Sequence, residues 1–217
     1  MQWLAPVITA LLGCASGAAL AQPATNYPAR AIHFVIPFPP GGSIDPMARL
    51  VGQKFTEKWN QPTVMDNRPG ANTVIGSQFV ARAAPDGYTL LVVGTPFAVN
   101  PSLFPVPYDT IKDFTPIATI ARTRQLLVVN PSLPVKNLQE LIALAKARPG
   151  QLAYSSSGTG NTNHLSAEIL SSLTGIKMLH IPYKGAGPAV TDLIGGQGQL
   201  SFQVPISVIT QIGRAHV

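Results

Sequence analysis

Residues 31–59 set the strongest constraint on the fold. A short apolar run, AIHFVI, passes through FPPGGSIDP into an amphipathic stretch that begins MARLVGQKF. The run Ala31–Phe38 is rich in Val and Ile and reads as a buried strand. After it, Met47, Leu50, Val51, Phe55 and Trp59 share one face at helical spacing, as in a helix packed on a sheet. Ser43 or Asp45 is the expected N-cap, and Pro46 falls in the first turn, where its missing N–H is no loss. A strand followed by a helix through a stiff, glycine-bearing turn is the building block of a parallel sheet, because the helix carries the chain back to begin the next strand.

That unit recurs in outline, without close sequence repetition. Thr63–Asp66 reads as a strand, NRPGAN as a loop and Val74–Ala83 as a helix, and PDG turns into a strand over Thr89–Val93 that ends at GTPFAVNP. A Pro-rich passage from Pro96 to Ile120 is expected to hold little helix, and Gln125–Val129 is the next strand. Asn137 with Glu140 makes a capping-box-like start for a helix bearing Leu138, Leu141, Ile142 and Ala145, which Pro149-Gly150 ends. Leu152–Ser155 leads through SSGTGNTNH into a helix with Leu165, Ile169 and Leu173; KMLHIP and LSFQV supply strands on either side of YKGAGPAVTDLI. The expected fold class is α/β with largely parallel sheets. A chain of 217 residues, 46% hydrophobic, can fill two cores. The Pro-rich passage divides it into a first lobe over residues 22–122 and a second over residues 123–211.

The two ends read differently from the rest. Residues 1–21 resemble a secretory signal: an apolar segment over Leu4–Leu20 ends in Ala19-Leu20-Ala21, which fits cleavage before Gln22. LLGC, ending at Cys14, is the weaker alternative of a lipoprotein site, and the leading MQW carries no Lys or Arg. Gly13, Ser16 and Gly17 break the segment and argue against a membrane span. Export to the periplasm is expected. Cys14 is the only cysteine, so the cleaved chain is expected to have neither disulfide nor thiol chemistry. At the other end, Ile212–Val217 (IGRAHV) back-translates to ATC GGA AGA GCA CAC GTC, a sequencing-adaptor sequence, so the natural sequence is expected to give way to adaptor after Gln211.

The loops between strands and helices carry the chemistry. In open α/β sheets, ligands bind beyond the carboxyl ends of the strands, where the unpaired N–H groups and positive dipole ends of helices converge. In PPGGS, Gly41 and Gly42 leave the backbone open to a ligand, Pro39 and Pro40 stiffen the approach, and Ser43 adds a hydroxyl. Such a loop is either a rigid cup for a carboxylate or phosphate or a tight turn without a ligand. SSSGTGNTN (Ser155–Asn163) and YKGAG (Tyr183–Gly187) offer a matching cup in the second lobe, and two facing cups suit a small anion with a carboxylate at each end. Neither is a nucleotide site: there is no G-x-x-x-x-G-K-[ST], and GTGNTN lacks the third glycine of a dinucleotide fingerprint.

The segments YPARAIHFVIPFPPGGSIDPMARL, NRPGA, AAPDGYTLL, NPSL, KDFTPIA, LVVNPSLPVKNLQELIALAKARPG and HIPYKGAGPAVTDLIGGQ, in that order, closely resemble the extracytoplasmic solute-binding receptors of tripartite tricarboxylate transporters, the Bug or TctC family. The resemblance spans Asn26 to near Gln211. It implies a two-lobed periplasmic-binding-protein architecture, a Venus flytrap, that holds a carboxylated solute between its lobes through backbone N–H groups and waters. Relatives continue further, so the second lobe and the return crossing to the first are expected to be truncated here. Residue by residue, the resemblance implies ligand contacts at Phe38, Pro40, Gly41, Gly42, Ser43 and Asp45, with Gly94 and Thr95 beside them. In the second lobe it implies Ser155, Gly158, Thr162, Asn163 and His164 and, through PYKG, Tyr183, Lys184 and Gly185. Gln203 stands where many relatives carry an Asp that reads an amine, which favours a simple dicarboxylate or an aromatic acid over an amino acid. The implied partners are a small carboxylate (dicarboxylate, tricarboxylate or aromatic acid) and the membrane subunits of a tripartite transporter. The receptor is expected to be a monomer without cofactor or metal.

Other functions fit less well. The net charge is +6, from 15 Lys and Arg against 9 Asp and Glu, but no basic run accompanies it and only 7% of residues are aromatic, which argues against nucleic-acid binding. Ser155–Ser157 and His164 invite an exported serine hydrolase, but no G-x-S-x-G elbow or orienting carboxylate is evident. His33 and His180 fall inside strand patterns, and no H-E-x-x-H or paired His/Cys spacing points to a metal. Asp45 is also readable as a helix cap and Lys184 as a solvated loop charge. A sensor for a signalling partner has the same sequence signature as a transport receptor.

Overall fold

The computed structural model describes residues 26–211. The signal-like segment with Cys14 and Ala21, and the adaptor-like tail 212–217, lie outside them.

Two sheets form, each with its own helices. The first takes strands β1 (Ile32–Ile36), β2 (Thr63–Asn67) and β3 (Thr89–Leu91) in the order β2-β1-β3, all parallel. Its register sets Ile32 opposite Thr63 and Val35 opposite Leu91. Helix α1 (Ile44–Trp59) lays Val51, Phe55 and Trp59 over Ile32, Phe34 and Ile36, and the Phe34, Phe55 and Trp59 rings meet edge to face. Helix α1 begins three residues before Met47, because Ile44 also turns into this core. A one-turn helix over Ala71–Thr73 precedes α2 (Val74–Ala81).

The passage from Pro96 departs from expectation. Thr95–Leu103 is helical, α3, with Pro96 in the first turn and Pro101 in the last. Pro96 needs no donor there, and Pro101 forgoes a single bond. Asn100, fully buried, anchors the helix, and Phe97 packs on Tyr108 and Phe114, so tertiary contacts override the proline content. From Phe104 to Gln125 the chain forms neither helix nor strand.

The second sheet has the order β4-β7-β5-β6, from β4 (Leu126–Val129), β5 (Ala153–Ser156), β6 (Leu179–Pro182) and β7 (Leu200–Gln203). β5 is parallel to both neighbours, and β4 runs antiparallel to β7. On one face α4 (Leu138–Ala147) and α5 (Thr162–Thr174) enclose Leu141, Ala145, Leu152, Tyr154, Ala167 and Leu200. On the other, α6 (Ala186–Gly195) and the short α7 (Pro205–Val208) cover Val128 with Val190, Leu193 and Val208. Helix α4 is capped as the sequence predicts: Asn137 Oδ1 accepts from the Glu140 N–H at 2.9 Å, and Glu140 Oε2 accepts from the Lys136 N–H at 2.8 Å.

Candidate functional site

The turn between β1 and α1 is held from behind. Asp45, in the first turn of α1, is buried, and its carboxylate accepts from Arg49 Nε at 3.0 Å, from Asn67 Nδ2 at 3.0 Å and from the Gly41 N–H at 3.4 Å. Asn67 Nδ2 also donates to the Phe38 carbonyl at 3.1 Å. Hydrogen bonding with Arg49 holds the Asp45 carboxyl below the usual carboxylate range. These bonds fix a loop whose Pro39 and Pro40 have no N–H, while Gly41 takes a left-handed φ of 80° that favours glycine. Gly42 and Ser43 follow, and no hydrogen bond among the described residues occupies their N–H groups. Ser43 precedes α1 but its hydroxyl does not cap it.

The second loop is held by side chains. Asn163 Oδ1 accepts from the Ser157 N–H at 3.3 Å and its Nδ2 donates to Ser157 Oγ at 2.7 Å; Asn161 Nδ2 donates to the Ser157 carbonyl at 3.0 Å. Beneath lies an aromatic stack: Tyr154 on His180, ring centroids 4.8 Å apart, and His180 on His164 at 4.3 Å. Tyr154 donates its phenolic hydrogen to Glu168, and Ser156 Oγ lies 2.6 Å from His180 Nε2. Burial, then the proximity of His164, lowers the His180 pKa to about 4.

Both loops open into one cleft between the sheets, a cavity of about 160 Å³. Four of the longer helices start at its wall, α1 and α3 from the first lobe, α5 and α6 from the second, and Val204 before the short α7 lies on it too. None of the four has a side-chain cap; α2 and α7 lack one too, and among the described helices only α4 is capped by a side chain. Each start presents unpaired N–H groups and the positive end of a helix dipole. Among the described residues, Lys184 is the one charged side chain on the wall, and no carboxylate lines it. Such an arrangement can stabilise negative charge. The lobes touch at its edge, where the Thr95 and Thr162 hydroxyls are 2.8 Å apart. A larger hollow of about 760 Å³ lies beside β4 and α4, away from all four uncapped starts. Among the described residues, no three His, Cys, Asp or Glu side chains converge as metal ligands would.

The sequence matches the family described as "Tripartite tricarboxylate transporter family receptor" over residues 47–213. Protein BugT of Bordetella pertussis is 44% identical over 184 residues, which cover 83% of this chain and 56% of BugT. The chain belongs to the tripartite tricarboxylate transporter receptor family. Two solved structures share its fold. R. palustris Rpa4515 with adipate superposes with a TM-score of 0.79 at 35% identity, covering 88% of this chain and 65% of that one. MatC (Rpa3494) from Rhodopseudomonas palustris with bound malate gives 0.78 at 30% identity, covering 88% and 67%. The chain spans little more than half the length of BugT.

Within this receptor fold, Phe38, Pro40, Gly41, Gly42, Ser43, Gly94 and Thr95 line the cleft from the first lobe, and Thr162, Asn163, Lys184, Gly185 and Gln203 from the second. Five expected contacts lie off the wall. Asp45 faces inward to Arg49, Asn67 and Gly41. Ser155 is buried on β5, where its hydroxyl donates to the Ala189 carbonyl. Gly158 sits behind its loop, against Asn161 and Asn72. His164 is beneath the loop, with Nδ1 accepting from the Gly160 N–H at 3.1 Å. Tyr183 turns to Asp192, which raises its pKa. The serine–histidine pairing that forms is Ser156 with His180, and Ser156 is fully buried.

Sequence reasoning missed other wall residues. Ser157 and Asn161 sat inside a motif already singled out for its polarity. Gln125 had no local signal. It reaches the wall because antiparallel pairing sets Leu126 opposite Gln203, and its Oε1 is buried without a hydrogen-bond partner.

Proposed function

We propose that this chain is a periplasmic receptor that binds a small dicarboxylate between its lobes and passes it to the membrane subunits of a tripartite tricarboxylate transporter. The observation that carries the reading is the convergence of four uncapped helix starts, two per lobe, on a wall whose only charged side chain among the described residues is Lys184. An anion at a helix start gains about 0.3–1 kcal/mol at exposed sites and up to about 2 kcal/mol when partly buried. The first lobe offers main-chain N–H groups at Gly42 and Ser43; the second offers Asn163, Thr162 and Lys184 for the far carboxylate. The adipate and malate of the two structural relatives both carry a carboxylate at each end, in keeping with this division.

Thermal melts with succinate, malate, adipate, citrate, aromatic acids and amino acids test the reading. A ligand at a hundred times its dissociation constant adds about 2.7 kcal/mol, or roughly 5 to 10 °C for a chain of this size. At least one dicarboxylate is expected to give that shift. No shift from any acid, together with ester turnover that Ser156→Ala abolishes, would contradict the receptor.

A further inference from the structure

The most unusual backbone in the chain lies outside the ligand wall. From Gly70 to Thr73, four consecutive residues have positive φ: 133°, 44°, 51° and 79°. Gly70 and Asn72 adopt such angles readily, but Ala71 does not, and Thr73 is β-branched and buried. A strained run of this kind persists only where the surroundings hold it.

What it achieves is the placement of Asn72. The Asn72 amide donates one hydrogen to Asn100 Oδ1 at 2.7 Å and the other to the carbonyl of Thr159 at 2.6 Å. Thr159 belongs to the second-lobe loop, so the latter bond crosses between the lobes. The orientation is fixed by chemistry: a main-chain carbonyl only accepts, so Nδ2 must face Thr159. Asn100, fully buried, returns the contact by donating from Nδ2 to the Asn72 carbonyl at 2.6 Å, and Asn161 Nδ2 approaches Asn72 Oδ1 at 3.4 Å. The fit leaves no slack, because a Cβ on Gly160 would come within 2.9 Å of Leu103 Cδ1 and 3.3 Å of Asn72 Nδ2.

We propose that Asn72 is a positioning residue that latches the second-lobe loop Ser157–Asn161 to the first lobe and so sets how long the closed cleft retains its ligand. It touches the back of the loop whose Ser157 and Asn161 line the cleft. Retention in this receptor thus depends on lobe-to-lobe bonds as well as on bonds to the ligand, and loss of the latch acts on release more than on capture.

Two variants separate this role from a merely structural one. Asn72→Gly removes the side chain while accepting the left-handed backbone; Asn72→Asp keeps its volume but loses both donors. Spin labels at Lys54→Cys on α1 and Lys146→Cys on α4, in a Cys14→Ser background of the full chain, report the inter-lobe distance without any ligand. The latch predicts a longer or broader distribution in both variants than in the parent. An unchanged distribution in both overturns it, even if melting temperatures fall. Should Asn72→Gly not fold, Asn72→Asp decides alone. A second arm rests on the carboxylate reading above: with whichever of succinate, malate or adipate binds, release is expected to quicken about tenfold with association changed less than about twofold. Unchanged release overturns the latch. If the parent binds none of the three, the carboxylate reading fails while the distance arm still decides the latch.

Discussion

The two halves of the cleft are built by different means. Behind the first-lobe loop, Asp45, Arg49 and Asn67 hold Phe38 and Gly41, leaving the N–H groups of Gly42 and Ser43 without a hydrogen bond among the described residues, while Ser43 and Thr95 line the wall. The second lobe lines the cleft with Ser157, Asn161, Thr162, Asn163, Lys184 and Gln203, of which Asn161 and Asn163 are tied to Ser157 and Gln203 to Ser201, over a stack of Tyr154, His180 and His164. Main-chain N–H groups read a carboxylate and nothing of the molecule beyond it. Side chains can differ between relatives without a change of fold, so discrimination between acids is expected to rest more on the second lobe.

If that division is right, blocking the first lobe abolishes binding and altering the second grades it. The largest effect is expected from Gly42→Leu. Gly42 has an ordinary φ, and a Cβ there meets only the Pro39 carbonyl at 3.6 Å, so the fold should survive while the side chain fills the cleft. Calorimetric titration should show affinity reduced by about a hundredfold or more, roughly 2.7 kcal/mol. Asp45→Ala comes next. It frees the Gly41 N–H and takes one acceptor each from Asn67, which keeps the Phe38 carbonyl, and Arg49, which keeps Asn67 Oδ1, and should lower stability by about 1–3 kcal/mol and weaken every acid alike, as read by urea midpoints and the ligand panel.

Acid should then separate the lobes. A histidine whose folded-state pKa is about 4, below its usual 6.5, contributes stability that is complete above pH 6.5 and is lost as pH falls toward 4, since the unfolded chain takes the proton first. The lowered Asp45 carboxyl contributes fully above the ordinary carboxylate range and loses its effect only as pH falls below that range. Between pH 6.5 and 4.5 the urea midpoint seen by circular dichroism should therefore fall, while that seen by Trp59 fluorescence in a Trp3→Phe background, which reports the first lobe, holds. His180→Phe should flatten the difference. A smaller change is expected from Lys184→Ala, a loss of about 1 kcal/mol or less in affinity that added salt diminishes, because the side chain is exposed. Smallest is Gln125→Leu. Removing a buried oxygen that has no partner should leave stability unchanged or up to about 1 kcal/mol higher while altering the ranking of acids.

Much of this division could be read in the sequence, and the reasons it could not all be read are local. β1, α1 and the glycine turn between them were legible because apolar period and turn chemistry agree there. The capping box at Asn137 was legible for the same reason. Helix α3 was not, since two prolines hide a helix that Asn100 and the Phe97 cluster hold in place. Asp45 was placed in the right loop but facing the wrong way: spacing gives its position, and only the packed Arg49 and Asn67 give its direction. Gln125 owes its place to the pairing of its neighbour Leu126 with Gln203, 77 residues on, and Asn72 bonds Thr159, 87 residues away, and no local pattern marks such pairings.

The most direct test is an amide chemical-shift titration of the isotopically labelled chain with a dicarboxylate and with its monoamide. Carboxylate recognition by the first-lobe main chain predicts that both ligands move the Gly42 and Ser43 amides strongly, while only the dicarboxylate fully moves Thr162, Asn163 and Lys184. Perturbations that spare Gly42 and Ser43, or that fall instead beside β4 and α4, would contradict it.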